Sequence, residues 1–214
     1  GRMSRIAAKI CGLSTVETLD AAIAGGASHV GFIFYPPSPR SLDIGQAAAL
    51  AARVPARIGR VGVFVDPEPA LIDAVLAASA VDILQLHGCD PARAAAFRAR
   101  TGRPVWAAIA VRTRRDLDAA PPWRDAADRL IYDAKTPAGA LPGGMGMRFD
   151  WTLLHGFAHP LPWALSGGLD AANVAEAVGT TGARMVDVSS GVERAPGVKD
   201  VDKIAAFLQS VATL

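Results

Sequence analysis

An apolar run, a polar turn and a helical segment follow one another eight times along this chain. The apolar runs, with the first turn residues included, are 6–12, 29–34, 61–65, 81–88, 104–109, 129–135, 163–168 and 184–191. They are nearly continuous rather than alternating, as expected of strands in a parallel sheet whose outer face is covered. Strands alternating with helices imply a parallel α/β sheet. Eight such units favour a closed (β/α)8 TIM barrel over an open doubly wound sheet. The 214 residues suit one barrel domain over 3–214, with Gly1-Arg2 before Met3 read as a cloning remnant.

The helices carry their own start signals. Ser14-Thr15-Val16-Glu17 reads as a capping box, and Asp43 with Gln46 as another. Asp66 before Pro67 reads as a cap followed by proline at the first helical position. Asp170 and Asp200 open the last two helices, and one more starts near Phe149-Asp150-Trp151. The fifth helix is the weakest, because Pro121 and Pro122 cut it short.

Composition narrows the function. Net charge is +2, and the densest basic cluster, Arg112, Arg114 and Arg115, has no interleaved aromatics, so a nucleic-acid partner is not expected. No apolar run reaches the roughly 20 residues of a membrane span, and no secretory signal opens the chain. Two cysteines build no disulfide framework, which points to a reducing, cytoplasmic location. The histidines lack metal spacing, so no metal is expected. The first strand lacks the glycine turn of dinucleotide binders, and there is no P-loop. No oligomeric interface is visible.

In such a barrel the active site lies at the carboxyl ends of the strands. That ring contains Cys11, Arg40, Asp66, Gln85, His87, Asp133, Lys135, Ser166-Gly167-Gly168 and Asp187-Val188-Ser189-Ser190-Gly191. A thiol, carboxylates, a histidine and a lysine at one mouth suit acid–base chemistry. Several have plainer readings. Cys11 suits a buried small hydrophobe, Asp66 a helix cap and His87 a structural histidine. Asp187 suits a partner for loop amides, and Lys135 a solvated loop lysine. The glycines after strands 7 and 8 let backbone N–H groups approach an anion. That is the usual phosphate site of this barrel, so a phosphorylated small-molecule substrate is expected.

Seven stretches together resemble the phosphoribosylanthranilate isomerase family of phosphate-binding barrels. They are Lys9-Ile10-Cys11-Gly12, Gly31-Phe32-Ile33-Phe34 with Ser38-Pro39-Arg40, Val61-Gly62-Val63-Phe64, Leu84-Gln85-Leu86-His87-Gly88, Gly143-Gly144-Met145-Gly146 leading to Phe149-Asp150-Trp151, Leu165-Ser166-Gly167-Gly168-Leu169, and Asp187-Val188-Ser189-Ser190-Gly191-Val192-Glu193. The family often has a smaller polar residue at the Met145 position. The resemblance implies an Amadori rearrangement of an N-phosphoribosyl anthranilate in tryptophan biosynthesis, with no cofactor. It implies Cys11 as general base and Asp133 as general acid. Arg40 would hold the anthranilate carboxylate, with His87 and Asp187 on the substrate's sugar and polar edge. Gly167, Gly168, Ser190 and Gly191 would hold the phosphate. Such chemistry needs a protonated Asp133 and an ionised Cys11. Burial would raise the first, and positive charge such as Arg40 would lower the second. The alternatives are a Schiff-base aldolase using Lys135, a histidine-pathway aminoaldose isomerase, which is expected to end its first strand on a carboxylate, and a non-catalytic phosphate-ligand binder.

Overall fold

The computed structural model describes residues 5–136 and 146–214. Gly143, Gly144 and Met145 lie outside the described residues. Eight parallel strands close a ring in sequence order: β1 (Ala7–Cys11), β2 (His29–Phe34), β3 (Gly59–Val65), β4 (Ile83–His87), β5 (Val105–Val111), β6 (Arg129–Ala134), β7 (Trp163–Leu165) and β8 (Met185–Val188). The seam is the β1–β8 pairing, with Lys9 opposite Asp187. Among the described residues no helix is long and apolar enough to cross a membrane.

Strand periodicity sorts the side chains into two cores. Ile10, Phe32, Phe64, Leu84 and Leu165 face outward and pack under the helices. Cys11, Val61, Val63, Trp106, Ile131, Ala164 and Met185 form a smaller cluster inside the barrel. The apolar character of both strand faces, which made the runs look continuous, follows from this double burial.

Among the described residues six α-helices cover the ring: α1 (Val16–Ala24), α2 (Ile44–Ala51), α3 (Pro69–Ala78), α4 (Pro91–Thr101), α5 (Val174–Thr181) and α6 (Val201–Ala212). The capping box at Asp43 and Gln46 forms, with Asp43 Oδ1 accepting from the Gln46 amide at 2.7 Å. Asp200 caps α6 through the Lys203 amide. Four expectations need correction. The cap of α1 is Thr15, whose hydroxyl accepts from the Thr18 amide, so Ser14 and Glu17 form no box. Asp66 caps nothing: its backbone is left-handed at φ 40°, its amide donates to the His87 carbonyl, and Pro69 rather than Pro67 opens α3. Asp170 caps a turn through Ala172 and Asn173, and α5 begins later, at Val174. After β5, and at Trp151–Leu154 after β6, there are only short 3-10 turns. Pro121 and Pro122 remove the amides an α-helix after β5 would need.

One element was not expected. After β8 a two-stranded antiparallel hairpin, β9 (Glu193–Ala195) and β10 (Val198–Lys199), folds over the barrel mouth. It buries a glutamate and a lysine there.

Candidate active site

All eight strands run the same way, so their last inward side chains converge. Cys11 ends β1, His87 ends β4, Asp133 lies next to last on β6, and Asp187 lies on β8. With Arg40, Gln85 and Ser166 they line a cleft of about 610 Å3. Beside it is a chamber of about 360 Å3 lined by Gly167, Gly168, Ser190 and Gly191. The two share Asp133, Ser166, Asp187 and Ser189. The strand-end residues singled out from the sequence thus lie on one double chamber, except Asp66 and Lys135. Asp66 pairs with Arg93 outside it. Lys135 is also apart. It lines neither part, is half exposed and pairs with Asp116 at 3.6 Å. That geometry removes the basis for a Schiff-base role at Lys135.

A polar chain crosses the mouth at the level of Lys9. Lys9 Nζ donates to Gln85 Oε1 at 2.7 Å and to Asp187 Oδ1 at 3.2 Å. Ser166 Oγ donates to the other Asp187 oxygen at 3.1 Å. Gln85 must turn its carbonyl to Lys9, so its amide nitrogen faces His87 Nε2 at 3.1 Å. An amide nitrogen only donates, so His87 Nε2 accepts and the ring proton sits on Nδ1. Burial, and the charge of Lys9, hold the His87 pKa down at about 4, so the imidazole is neutral at physiological pH. Lys9 is fully buried. Burial alone would lower its pKa, but Asp187 and Cys11 more than offset this, and it stays an ammonium.

Arg40 is not a surface arginine. It is buried against the hairpin, with Nε on Glu193 Oε2 at 2.8 Å and Nη2 on Glu193 Oε1 at 2.6 Å. Lys199 Nζ meets the same carboxylate at 2.7 Å and also donates to Ser189. Burial would raise the Glu193 pKa, but Arg40 and Lys199 outweigh it and hold it below the usual range. Two cations around one anion leave the mouth locally positive.

The two groups suited to proton transfer differ in their surroundings. Burial, and to a lesser degree the charge of Asp187, push the Asp133 pKa up to about 7, against the pull of the Ala134 amide, which donates to Oδ1 at 2.7 Å. Burial also raises the Cys11 thiol above its ordinary value. The expected lowering by Arg40 is therefore corrected: the cations that oppose burial at Cys11 are Lys9 and Lys199.

In the second chamber, Gly167 and Gly168 have φ of 91° and 67°, where L residues are strained. A Cβ on Gly167 would stand 2.7 Å from Asp133 Oδ1 and 2.9 Å from the Ala134 amide nitrogen. Gly167→Ala is expected to cost about 1–3 kcal/mol in urea denaturation through backbone strain and overpacking. A loss within error would mean that this turn does not constrain Asp133.

Lys9, Glu193 and Lys199 were given no role from sequence. Lys9 had a signal, because a strand of period two puts residues 9 and 11 on the same inward face. Glu193 and Lys199 had none, being on a hairpin of three and two residues.

A parallel barrel with titratable groups gathered at the strand ends and a glycine-lined chamber beside them is the architecture of a (β/α)8 enzyme acting on a small anionic substrate. The family model described as N-(5'phosphoribosyl)anthranilate (PRA) isomerase matches residues 8–210. The N-(5'-phosphoribosyl)anthranilate isomerase of Zymomonas mobilis subsp. mobilis is 52% identical over 208 residues, 96% of this chain and 98% of that protein. The enzyme of that name from Paramagnetospirillum magneticum is 51% identical over 204 residues, 94% and 95% of the two chains. Among solved structures, phosphoribosyl anthranilate isomerase from Thermotoga maritima superposes with a TM-score of 0.86 at 35% identity, covering 98% of this chain and all of that one. Another, in complex with reduced 1-(o-carboxyphenylamino)-1-deoxyribulose 5-phosphate, has a TM-score of 0.83 at 32% identity, with 98% and 100% coverage. The chain belongs to the N-(5'-phosphoribosyl)anthranilate isomerase family.

Proposed function

We propose that this protein catalyses the Amadori rearrangement of N-(5′-phosphoribosyl)anthranilate to 1-(2-carboxyphenylamino)-1-deoxyribulose 5-phosphate, a step of tryptophan biosynthesis, in the cytoplasm. The observation that carries this reading is the double chamber: a cleft with Cys11 and Asp133, joined to a glycine-lined pocket through Asp133, Ser166, Asp187 and Ser189. Such a shape suits a ligand with a phosphate at one end and a reacting sugar carbon beside it.

The residues divide the work as follows. Gly167, Gly168, Ser190 and Gly191 receive the phosphate. Protonated Asp133 gives its proton to the furanose oxygen, the C1′–O bond breaks, and an iminium forms. Cys11 thiolate takes the proton from C2′ and leaves an enolamine. The enolamine then loses its O2′ proton and gains one at C1′, giving the ketone. If Asp133 carboxylate accepts the first and Cys11 thiol supplies the second, both groups return to their starting states. Neutral His87 and Asp187 orient the sugar hydroxyls.

Arg40 holds the anthranilate carboxylate. Its Nε–Nη2 edge is engaged by Glu193. The substrate carboxylate therefore meets the guanidinium away from the edge facing Glu193. A lysine cannot serve two carboxylates with this planar fork.

The test is the loss of phosphoribosylanthranilate fluorescence, followed for the wild type and Arg40→Lys, with and without the carboxylate on the substrate. Wild type should turn over the carboxylated compound. Arg40→Lys should lose about 2–4 kcal/mol of transition-state stabilisation and most of the preference for it. An inactive wild type would overturn the reading. An unchanged preference would place the carboxylate elsewhere.

A further inference from the structure

We propose that Lys9 is the positioning residue that makes Cys11 usable as a base, by placing an ammonium against the sulfur as it becomes a thiolate. This rests on the reading of Cys11 given above, and its test does not use turnover.

Lys9 and Cys11 lie two residues apart on β1, so both point into the barrel. The neighbouring strand makes room for them at Gly31. A Cβ there would stand 2.8 Å from Cys11 Sγ and 3.1 Å from Lys9 Cε. The lysine stem and the sulfur therefore lie side by side over one glycine. The head of Lys9 is fixed by Gln85 Oε1 and Asp187 Oδ1 on the far side. A buried ammonium held by two acceptors is a preorganised charge.

The charge is needed because the site otherwise opposes a thiolate. Burial disfavours it, and Asp187 on β8 disfavours it further. The other titratable or charged groups that face the cleft are Tyr35 after β2, Asp133 on β6, neutral His87 on β4, and Arg40 with its partner Glu193. Lys199 on β10 helps, but its ammonium is shared between Glu193 and Ser189. Lys9 is the largest favourable influence on the sulfur. It also does not double as a nucleophile, because Asp187 and Cys11 keep it protonated despite its burial.

The experiment measures alkylation of Cys11 by iodoacetamide from pH 7 to 10.5, located by mass spectrometry, in a Cys89→Ser background that removes the second free cysteine. An opposite charge within about 4–6 Å changes an ionisation constant by roughly 10- to 1000-fold. In Lys9→Met the alkylation rate at pH 8 should fall at least about tenfold, and the profile should move to higher pH. A purely structural role would not move the profile to higher pH, since a loosened mouth would raise reactivity at every pH. An unmoved profile would overturn the proposal while leaving the base assignment to be judged by Cys11→Ala.

Lys9→Met leaves Asp187 as a buried charge without its cation and can fail to fold for that reason. The neutral pair Lys9→Met with Asp187→Asn avoids this. Its profile should still lie above wild type, but by less, because Asp187 works against the thiolate. A profile at or below wild type would overturn the proposal.

Discussion

Asp133→Asn is expected to abolish turnover and to make the folded protein more stable above neutral pH. Asparagine keeps the size of the side chain and still accepts from the Ala134 amide, which holds Asp133 Oδ1 at 2.7 Å. It cannot deliver a proton to the furanose oxygen. Loss of a positioned acid costs about 10²–10⁴-fold in rate, and more where ring opening depends on it. The stability effect has the opposite sign. Burial raises the Asp133 pKa from 3.8 to about 7. Between those values the folded protein keeps a proton that the unfolded chain has released, so stability falls as pH rises through this window. Above it the folded protein carries an unfavourable buried carboxylate, which asparagine removes. The variant should gain about 1–4 kcal/mol at pH 8 and little near pH 4, by urea denaturation at both. A variant destabilised at pH 8 would contradict the raised pKa, and an active one would remove Asp133 from the mechanism.

The same two pKa directions set the shape of the rate profile. On the proposed mechanism the productive state has one proton on the pair, on Asp133. Because Asp133 releases its proton more readily than Cys11, most singly protonated molecules hold it on sulfur instead. The kcat/KM profile of the wild type is still bell-shaped, with an acid limb near 7 and an alkaline limb above the ordinary thiol range. Its height reflects the minor productive form. Lys9 is the main influence favouring the thiolate and only a minor one favouring the Asp133 carboxylate, so on that mechanism it raises the whole curve.

The barrel was legible because each strand is buried on both faces and is therefore apolar over its whole length. Eight such runs, each closed by turn residues, admit few other folds. Helix starts were less legible, because two candidate caps often lie side by side. Ser14 and Thr15 both fit a cap, and the geometry of the following turn selects Thr15. Asp66-Pro67 carries a complete cap signal, yet the strand ends in a left-handed residue and the helix waits for Pro69.

The candidate site was legible where polar residues interrupt an apolar strand near its end, as Cys11, His87, Asp133 and Asp187 do. Lys9 also interrupts one, but its acceptors are 76 and 178 residues away and no local pattern connects them. The setting of Arg40 was hidden for the same reason. Its loop prolines suggested a rigid backbone, but Glu193, which fixes the guanidinium, is 153 residues further along on a hairpin too short to be read from periodicity.

Cys11 provides the other large effect. Cys11→Ala and Cys11→Ser should both lower kcat by about 10²–10⁴-fold or more, as expected when a positioned base is lost. Both should still bind a phosphorylated substrate analogue, because the glycine-lined chamber and Arg40 are untouched. Folding should be affected little. Cys11 is a small side chain at the rim of the inner cluster, and deleting its sulfur costs about 1 kcal/mol at most. The serine variant separates ionisation from shape. A hydroxyl fills nearly the space of the thiol over Gly31 and keeps a hydrogen-bonding atom beside Lys9. It does not ionise in this pH range even next to an ammonium. If the sulfur acts as a thiolate, serine should be as inactive as alanine at every pH from 6 to 10. A serine variant with substantial turnover would mean that a neutral group suffices at this position. The proton at C2′ would then have to leave through another residue, and the two carboxylates lining the cleft, Asp133 and Asp187, would be the groups to test next.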